Sequence, residues 1–314
     1  MDVLIAVREW DETRWLQRLR QLLPDRAILT PETLKDRASV RYGLSWRHRP
    51  GEFQKLPNLL AIFSLGAGVD HTLADPDLPD VPLVRVIDPD LTTRMSEWVA
   101  LQTLLHFRQF SRYNRQQREK VWAEDEDQAA AHEARVGILG LGVMGMDAAR
   151  KLQTLGFDVI GWTRTARKIH GLTVFHGKDG LDELLERTDI LVSLLPLTSE
   201  TRGLINRDLI AKLARDGKIG GPFLIAAGRG ASQVEADIVE ALKCGVLKGA
   251  SLDVFETEPL PKDSPLWDLP NVYISPHNAG VSHPNAIARY VAAQILSFER
   301  GEPLQNVVNR ARGY

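Results

Sequence analysis

The chain contains a single cysteine, Cys244, among its 314 residues. An internal disulfide is therefore excluded, and so is any metal site that needs several thiolates. The 39 lysines and arginines nearly balance the 41 aspartates and glutamates, so the formal net charge is only −2. Because positive charge is not in excess, the chain has no overall electrostatic attraction for nucleic acid or for an acidic membrane.

Long hydrophobic runs are also missing. The apolar stretch at residues 3–7 is too short for a signal peptide. No segment approaches the ~18 continuous apolar residues of a membrane-spanning helix, and we therefore expect a cytoplasmic protein. At about 150 residues per domain, the length indicates two domains. A content of 44% hydrophobic and 25% charged residues is ordinary for globular proteins.

Short apolar segments alternate along the chain with segments of helical periodicity, which is typical of α/β proteins. Strands are predicted at residues 3–7, 59–65, 83–87, 136–139, 159–162, 190–195, 223–226, 250–254 and 272–274. Helices are predicted at residues 11–23, 146–155 and 284–300, together with one long helix that begins at Ser96 and becomes basic from Arg108 to Lys120. We interpret the basic stretch as a solvated helix end, because it has no aromatic or groove-reading partners. The acidic residues 123–133 are interpreted as a connection between domains.

A glycine-rich hexapeptide follows the predicted strand 136–139 and matches the pattern Gly-x-Gly-x-x-Gly. Its members are Gly140, Leu141, Gly142, Val143, Met144 and Gly145. The match opens a predicted helix that leads to a second strand, and this βαβ context is typical of a dinucleotide-binding site. The first glycine permits the tight turn, the second admits the pyrophosphate, and the third lets the helix pack on the strand. The helix N-terminus offers N–H groups to the phosphates.

The segment after the second strand bears on the choice of cofactor. NAD sites place an acidic residue about 20 positions after the glycines, where it holds the ribose 2′-hydroxyl, and no carboxylate lies there in this chain. Thr163 and Thr165 can instead hydrogen-bond a 2′-phosphate, and Arg164, Arg167 or Lys168 can neutralise it. We therefore favour NADP(H) over NAD(H), with Arg164 as the leading residue. The alternative is a solvated basic loop.

Further motifs follow other predicted strands, at the edge where open α/β sheets bind ligands. They are Ala227-Gly228-Arg229-Gly230, Asp253-Val254-Phe255, Glu258-Pro259-Leu260-Pro261 and Ser275-Pro276-His277. Other distinctive segments are Leu65-Gly66-Ala67-Gly68-Val69-Asp70, Trp162-Thr163-Arg164, Leu194-Leu195-Pro196 and Arg310-Ala311-Arg312-Gly313-Tyr314. On these motifs nearly the whole chain resembles the D-isomer-specific 2-hydroxyacid dehydrogenases. Within that family it is most similar to the NADPH-dependent glyoxylate/hydroxypyruvate reductases.

The resemblance implies that Arg229, Glu258 and His277 carry the reduction of a small 2-keto acid. His277, as an imidazolium, would donate a proton to the carbonyl oxygen as hydride arrives. Glu258 would orient the imidazole and favour its charged form, although Glu256 competes with it by spacing. Arg229 would bind the substrate carboxylate and polarise the carbonyl. Each of the three also has a structural or surface interpretation.

The resemblance further implies a substrate site and additional cofactor contacts. Backbone N–H groups of Ala67, Gly68 and Val69 would hold the substrate carboxylate. Trp46 and Met95 would lie near the substrate, although core packing explains both side chains equally well. The remaining residues that the resemblance assigns to the cofactor site are Trp162, Leu195, Pro196, Ala227, Gly280 and Asp253, the last of which would hold the nicotinamide carboxamide.

The implied architecture is α/β with parallel sheets in both domains. Residues 1–98 and 284–314 would form a smaller flavodoxin-like substrate domain, and residues 99–283 an NADP-binding Rossmann domain, with the active site in the cleft between them. A homodimer through the cofactor domain is implied, with Trp122 reaching the partner's site. No metal, nucleic acid or membrane partner is expected.

Two alternative functions remain open, and the chain also departs locally from the family pattern. The chain could be an NADP(H)-sensing interaction protein on the same fold, or a dehydrogenase for another D-2-hydroxy acid. Ala226 stands where the family usually has asparagine, and residues 218–222 form an insertion.

Overall fold

The computed structural model describes residues 1–281 and 283–314. The strands are β1 (Asp2–Val7), β2 (Ile28–Leu29), β3 (Val40–Trp46), β4 (Ala61–Ser64), β5 (Leu83–Val84), β6 (Arg135–Leu139), β7 (Asp158–Thr163), β8 (Thr173–His176), β9 (Ile190–Ser193), β10 (Phe223–Ala226), β11 (Gly249–Leu252) and β12 (Val272–Ile274). The α-helices are α1 (Thr13–Leu22), α2 (Asp70–Leu73), α3 (Pro89–Phe107), α4 (Phe110–Glu119), α5 (Val143–Thr154), α6 (Gly177–Leu185), α7 (Arg207–Ala211), α8 (Glu235–Lys243) and α9 (Pro284–Glu299). Short 3₁₀ turns lie at Arg37–Ser39, Ala131–Glu133, Gly230–Ser232 and Pro265–Asp268. Among the described residues, no helix combines the length and apolar character needed to cross a membrane.

The chain divides into two units, each built around one parallel sheet. The first unit comprises Met1–Leu91 and Ser282–Tyr314, and the second comprises Thr92–Val281. Strand order is β2-β1-β3-β4-β5 in the first sheet and β12-β11-β10-β9-β6-β7-β8 in the second. These are the flavodoxin-like and Rossmann orders of doubly wound α/β folds. The predicted fold class is therefore confirmed.

The sheet of the first unit is covered on both faces. Side chains alternate along β1, so Val3 and Ile5 face one cluster while Leu4 and Ala6 face the other. Helices α1 and α9 cover the first of these faces with apolar residues spaced four apart, which places them on one side of each helix. These residues are Trp15 and Leu19 on α1, and Ile287, Val291 and Ile295 on α9.

The second sheet is likewise buried on both faces, which explains why its strands are continuous apolar runs. Within β9, Leu191 belongs to one core cluster, while Ile190 and Val192 belong to the cluster on the opposite face. The same division holds in β6, where Leu139 and Ile138 point to opposite sides. A sheet buried on both faces can contact a ligand only at the ends of its strands.

The predicted long helix after Ser96 is wrong, because the structure has two helices there. Helix α3 ends at Phe107, Gln109 adopts a left-handed conformation with φ 55°, and α4 begins at Phe110. No residue of α4 is buried. Arg112 on α4 pairs with Asp125 at 3.2 Å, so part of the basic stretch is balanced by the acidic segment that follows.

Burial of His106 on α3 predicts a pH-dependent stability. Its Nε2 lies 2.9 Å from the Ser251 hydroxyl, and burial lowers the pKa of His106 to about 3. The ordinary histidine pKa is about 6.5, so between these values the unfolded chain binds a proton that the folded chain does not, and stability falls as pH falls. Between pH 7 and pH 5 we expect this residue to remove about 2 kcal/mol from the free energy of unfolding. Urea unfolding at both pH values should show a smaller loss in His106→Gln; equal losses in the two proteins would contradict the prediction.

Candidate active site

The sequence motifs of the second unit lie together at the carboxyl ends of the strands of its sheet, which we call the carboxyl edge. All neighbouring strands there are parallel, so their carboxyl ends lie together. The first residues after these ends are Gly140, Arg164, Leu194, Ala227, Asp253 and Ser275. Strand order reverses between β6 and β9, and ligands of open α/β sheets bind outside the carboxyl ends at such a switch point.

The three glycines after β6 meet different steric demands. Gly140 has φ +98°, a left-handed conformation that favours glycine. A Cβ on Gly145 would lie 2.0 Å from the Gly140 carbonyl oxygen, so this position requires glycine for the helix to pack on the turn. A Cβ on Gly142 would meet no atom of the described residues within 4 Å. Gly142 is the N-cap residue of α5, and its lack of a side chain leaves the start of that helix open to a ligand.

Positive side chains gather beside this turn at the end of β7. Arg164 Nη1 lies 2.7 Å from Glu200 Oε2, and Arg167 Nη1 donates to the Leu141 carbonyl at 2.9 Å. The Thr163 hydroxyl donates to the Thr165 carbonyl at 2.9 Å. The Arg164 contact with Glu200 spans 36 residues, so no local pattern in the sequence could have indicated it.

His277 and Glu258 form a hydrogen-bonded pair at the same edge. His277 Nδ1 lies 2.8 Å from Glu258 Oε2, and the other carboxylate oxygen accepts from the Phe255 N–H at 3.1 Å. The side chains are 37% and 22% exposed. Because the carboxylate holds Nδ1, the ring nitrogen Nε2 is directed away from Glu258 and can exchange a proton with a ligand.

Glu256, the competitor by spacing, has different partners. Its carboxylate accepts from the Glu235 backbone N–H at 2.7 Å, and its own N–H donates to the Glu235 carboxylate. Burial raises the pKa of Glu235, and the carboxylates of Glu256 and Glu258 contribute to the rise. This reciprocal pair at the start of α8 holds Glu256 in place, while Glu258 is the carboxylate bonded to His277.

Asp253 organises the loop that carries His277. Its carboxylate is buried, and Oδ1 accepts from the Ser275 hydroxyl at 2.6 Å, the Asn278 N–H at 2.9 Å and the Ala279 N–H at 3.1 Å. The His277 N–H donates to the Asp253 carbonyl at 2.9 Å. His277 has φ 51°, a conformation that costs a non-glycine residue about 1–3 kcal/mol unless its surroundings hold it. The bonds to Asp253 hold it there.

The glycine that follows Arg229 lets its segment approach the backbone at Val254 and Phe255. A Cβ on Gly230 would lie 1.7 Å from the Phe255 carbonyl oxygen, so the two backbones touch at this point. Gln233 adds a hydrogen bond from its side-chain amide to the Val254 carbonyl at 2.8 Å. Arg229 Nη1 donates to the Gly228 carbonyl at 2.9 Å. The segment of Arg229 therefore packs against the segment that leads to Glu258.

The residues predicted to bind a substrate carboxylate lie in the first unit, after β4. Within the described part of the chain, the N–H groups of Ala67, Gly68 and Val69 have no hydrogen-bond partner. Trp46 packs beside this turn, since a Cβ on Gly66 would lie 2.4 Å from its ring.

Aromatic neighbours hold Trp46, whereas Met95 is part of a core. The Trp46 indole stacks on Trp10 with ring centroids 4.1 Å apart, and the His71 ring lies at 4.7 Å. Met95 is buried in the core of the second unit, as the packing interpretation predicts. Trp122 is 91% exposed.

The 218–222 insertion lies away from the carboxyl edge. It directly precedes β10, which begins at Phe223, and so it stands at the amino end of that strand. Lys218 pairs with Glu133 at 3.2 Å and with Asp127 at 3.6 Å. Ala226, at the other end of β10, is buried, and its carbonyl accepts from the Asp253 N–H at 2.9 Å.

Two residues at these strand ends make contacts that the sequence did not indicate. Ser275 connects the Asp253 carboxylate to α3, because its hydroxyl also accepts from Trp98 Nε1 at 3.1 Å. Glu200 is the second, through its pair with Arg164. Among the residues that the structure describes, no group of three or more His, Cys, Asp or Glu side chains could hold a metal ion.

A doubly wound sheet with a glycine-rich turn at its switch point is typical of nucleotide-binding proteins, and comparison with known proteins identifies the family. Residues 100–279 match the model of the D-isomer specific 2-hydroxyacid dehydrogenase NAD-binding domain. The chain belongs to the D-isomer-specific 2-hydroxyacid dehydrogenase family. The resemblance predicted from the motifs is thus confirmed.

Solved structures of similar proteins agree with the family match. An NADPH-dependent glyoxylate/hydroxypyruvate reductase from Sinorhizobium meliloti, in complex with NADP and sulfate, is 47% identical, with a TM-score of 0.93. A probable 2-hydroxyacid dehydrogenase from Rhizobium etli, in complex with NADP, HEPES and L(+)-tartaric acid, is 48% identical, with a TM-score of 0.95. A D-isomer specific 2-hydroxyacid dehydrogenase from Xanthobacter autotrophicus, in complex with NADPH and MES, is 38% identical, with a TM-score of 0.93. Each match covers 100% of this chain and 99% of the other.

Proposed function

We propose that this protein is an NADPH-dependent reductase of small 2-keto acids, which converts glyoxylate to glycolate and hydroxypyruvate to D-glycerate. The observation that carries the proposal is the His277–Glu258 pair at the carboxyl edge of a Rossmann sheet. The S. meliloti relative, an NADPH-dependent glyoxylate/hydroxypyruvate reductase, supports this choice of substrates and cofactor.

The residues at this edge fit an NADP(H) molecule. The open position at Gly142 and the N-terminus of α5 suit a pyrophosphate. Arg164 and Arg167 suit a 2′-phosphate. Bound NADPH would supply the hydride that reduces the keto carbon. The other cofactor contacts that we propose are Leu141, Val143, Met144, Gly145, Trp162, Thr163, Thr165, Leu195, Pro196, Ala227 and Gly280.

We assign the catalytic roles to three side chains. As hydride reaches the keto carbon, negative charge develops on the carbonyl oxygen, and His277 donates a proton to it from Nε2. Glu258, bonded to Nδ1 at 2.8 Å, fixes the ring orientation and stabilises its positive charge. Arg229 binds the substrate carboxylate and polarises the carbonyl.

We assign Asp253 a positioning role in addition to the cofactor contact. Its Oδ1 is occupied by hydrogen bonds from the His277 loop, whereas Oδ2 accepts from Ala279 at 3.0 Å. A carboxylate oxygen accepts two hydrogen bonds readily, so Oδ2 can also take the nicotinamide carboxamide. The same side chain would then align the cofactor ring and the proton donor.

The first unit supplies the remaining part of the proposed substrate site. The N–H groups of Ala67, Gly68 and Val69 would bind the substrate carboxylate, and Trp46 would contact the substrate. We also propose a homodimer, in which the exposed Trp122 indole would be covered by the partner. The oligomeric state can be measured by light scattering of the purified protein.

Oxidation of NADPH by the purified protein tests the proposed function directly. Loss of the reduced-nicotinamide absorbance should be fast with glyoxylate and with hydroxypyruvate, and slower when NADH replaces NADPH. Turnover only with bulkier 2-keto acids would instead indicate a dehydrogenase for another D-2-hydroxy acid. Tight NADPH binding without turnover of any 2-keto acid would favour an NADP(H)-sensing protein.

Replacing Arg164 by alanine should weaken NADPH binding selectively. A hydrogen bond to a charged phosphate is worth about 1.5–3 kcal/mol, so we expect the KM for NADPH to rise about 10- to 100-fold. NADH lacks the 2′-phosphate, so its KM should change less than threefold. A threefold change corresponds to a loss of about 0.6 kcal/mol of binding free energy. Lys243→Ala removes one exposed positive charge at the end of α8, outside the proposed cofactor residues, and serves as the matched control. Equal losses with both cofactors would exclude the phosphate role.

A further inference from the structure

The turn after β4 is held from inside by one buried hydroxyl. Ser64, the last residue of β4, is fully buried, and its Oγ lies 3.0 Å from the Gly66 carbonyl oxygen and 3.0 Å from the Gly68 carbonyl oxygen. The same hydroxyl lies 3.4 Å from the Gly66 N–H. A serine hydroxyl has one proton to donate, so the two carbonyl groups share it and both face Ser64.

The orientation of these carbonyls determines where the turn's N–H groups point. In a planar trans peptide, the C=O of one residue and the N–H of the next point in opposite directions. Because the carbonyls of Gly66 and Gly68 face Ser64, the N–H groups of Ala67 and Val69 must point away from it. Within the described residues, neither N–H group has a hydrogen-bond partner. Within the described residues, the turn therefore presents two N–H donors without partners, two residues apart, on the face opposite Ser64.

Backbone N–H groups without partners in a glycine-rich turn suit the oxygens of a carboxylate. We propose that Ser64 is a positioning residue for substrate binding, because it orients the Ala67 and Val69 N–H groups toward the carboxylate of the 2-keto acid. The inference rests on the proposed function. Ser64 lies on the far side of the turn from the donors and acts through the two peptide planes.

The packing around the turn restricts how the backbone can adjust when this hydroxyl is lost. Gly66 is buried against the Trp46 ring, which a Cβ at this position would approach to 2.4 Å, so the backbone cannot move in that direction. Removing the hydroxyl leaves two carbonyl groups without the donor that orients them. Carbonyls without donors rotate toward water or another N–H, and the N–H groups coupled to them then no longer point away from Ser64.

Ser64→Ala tests the inference because it should change KM and leave kcat nearly unchanged. We expect the KM for glyoxylate to rise about tenfold, which corresponds to losing roughly one hydrogen bond's contribution. The value of kcat should change less than twofold, because the groups that act on the carbonyl remain. The dissociation constant of oxalate, a two-carbon dicarboxylate, should rise in parallel in NADPH-loaded protein measured by calorimetry. NADPH affinity should be unchanged.

Two further variants separate positioning from packing. Ser64→Cys places a thiol of similar size but much weaker donor strength in the same space, and it should also raise the KM for glyoxylate and weaken oxalate binding. Thr30→Val removes another buried hydroxyl of the same unit, which lies 3.3 Å from the Thr33 hydroxyl, and it should leave both values unchanged.

The possible outcomes distinguish this inference from the proposed function. Wild-type values of KM and oxalate affinity in the Ser64 variants would overturn the role of Ser64, and so would an equal loss in Thr30→Val. If Ser64→Ala does not fold, Ser64→Cys decides the question alone. Absence of turnover with every 2-keto acid would overturn the proposed function, while oxalate binding by the wild type and the variants would still test Ser64.

Discussion

His277→Ala is expected to lower kcat for glyoxylate reduction by about a thousandfold, within the 10²–10⁴ range of general acid catalysis. Without a proton donor, the developing alkoxide must take its proton from water. The substitution removes the partner of Glu258 but leaves the turn at Gly140 and the basic side chains after β7 intact. NADPH affinity should therefore stay within about threefold of the wild-type value, and steady-state kinetics with fluorescence titration of NADPH measures both quantities.

An exposed histidine elsewhere in the same unit is the control for this substitution. His170→Ala should leave kcat unchanged, because the structure places His170 in a loop after β7, away from the His277–Glu258 pair. Near-wild-type kcat in His277→Ala would mean that another group donates the proton. A parallel loss of NADPH binding would mean that the residue supports the cofactor site instead of the chemistry.

Several strands could be predicted because burial on both faces produces continuous apolar runs. This is the case for β6, β9 and β10, whose predicted starts or ends lie within a few residues of those observed. Strand β3 was missed although it lies in the middle of the first sheet. Its apolar residues alternate with Arg41, Gly43 and Ser45, and Gly43 is needed because a Cβ there would lie 2.6 Å from the Phe53 ring. Alternation is the signal that this strand carries, and no continuous apolar run marks it.

Elements at sheet edges were harder to predict for a different reason. Strand β8, at the end of the second sheet, has partly and fully exposed side chains and no apolar run. The predicted strand at 83–87 contains only two strand residues, Leu83–Val84. In both cases pairing with a neighbouring strand, which is a tertiary interaction, decides the structure, and local residue preferences are too weak to show it.

The candidate site shows the same division between local and distant information. The glycine turn could be interpreted from spacing, since its function depends on six consecutive residues between two recognisable elements. Spacing alone did not distinguish Glu258 from Glu256. The distinction depends on Glu235, about twenty positions earlier, whose backbone and carboxylate bind Glu256. Contacts of this kind are created by the fold, and a single sequence contains no direct signal for them.

Gly145→Ala should destabilise the second unit, whereas Gly142→Ala should leave it stable and weaken NADPH binding. A methyl group on Gly145 would lie 2.0 Å from the Gly140 carbonyl oxygen, which belongs to a turn fixed between β6 and α5. Overpacking of this kind costs about 3 kcal/mol, which corresponds to a fall of about 6–12 °C in Tm for a unit of this size. A methyl group on Gly142 would lie more than 4 Å from every other group in the part of the chain that the structure describes, so Tm should not fall.

The two variants together separate the folding role of the motif from its binding role. In Gly142→Ala the added methyl would occupy the space through which a pyrophosphate approaches the backbone. The Kd for NADPH should rise at least tenfold, or about 1.4 kcal/mol, as measured by fluorescence titration alongside thermal unfolding. A Gly142→Ala protein that binds NADPH as tightly as the wild type would show that the pyrophosphate does not lie over this turn. An unchanged Tm in Gly145→Ala would show that the turn can yield, and the steric argument for the third glycine would then be wrong.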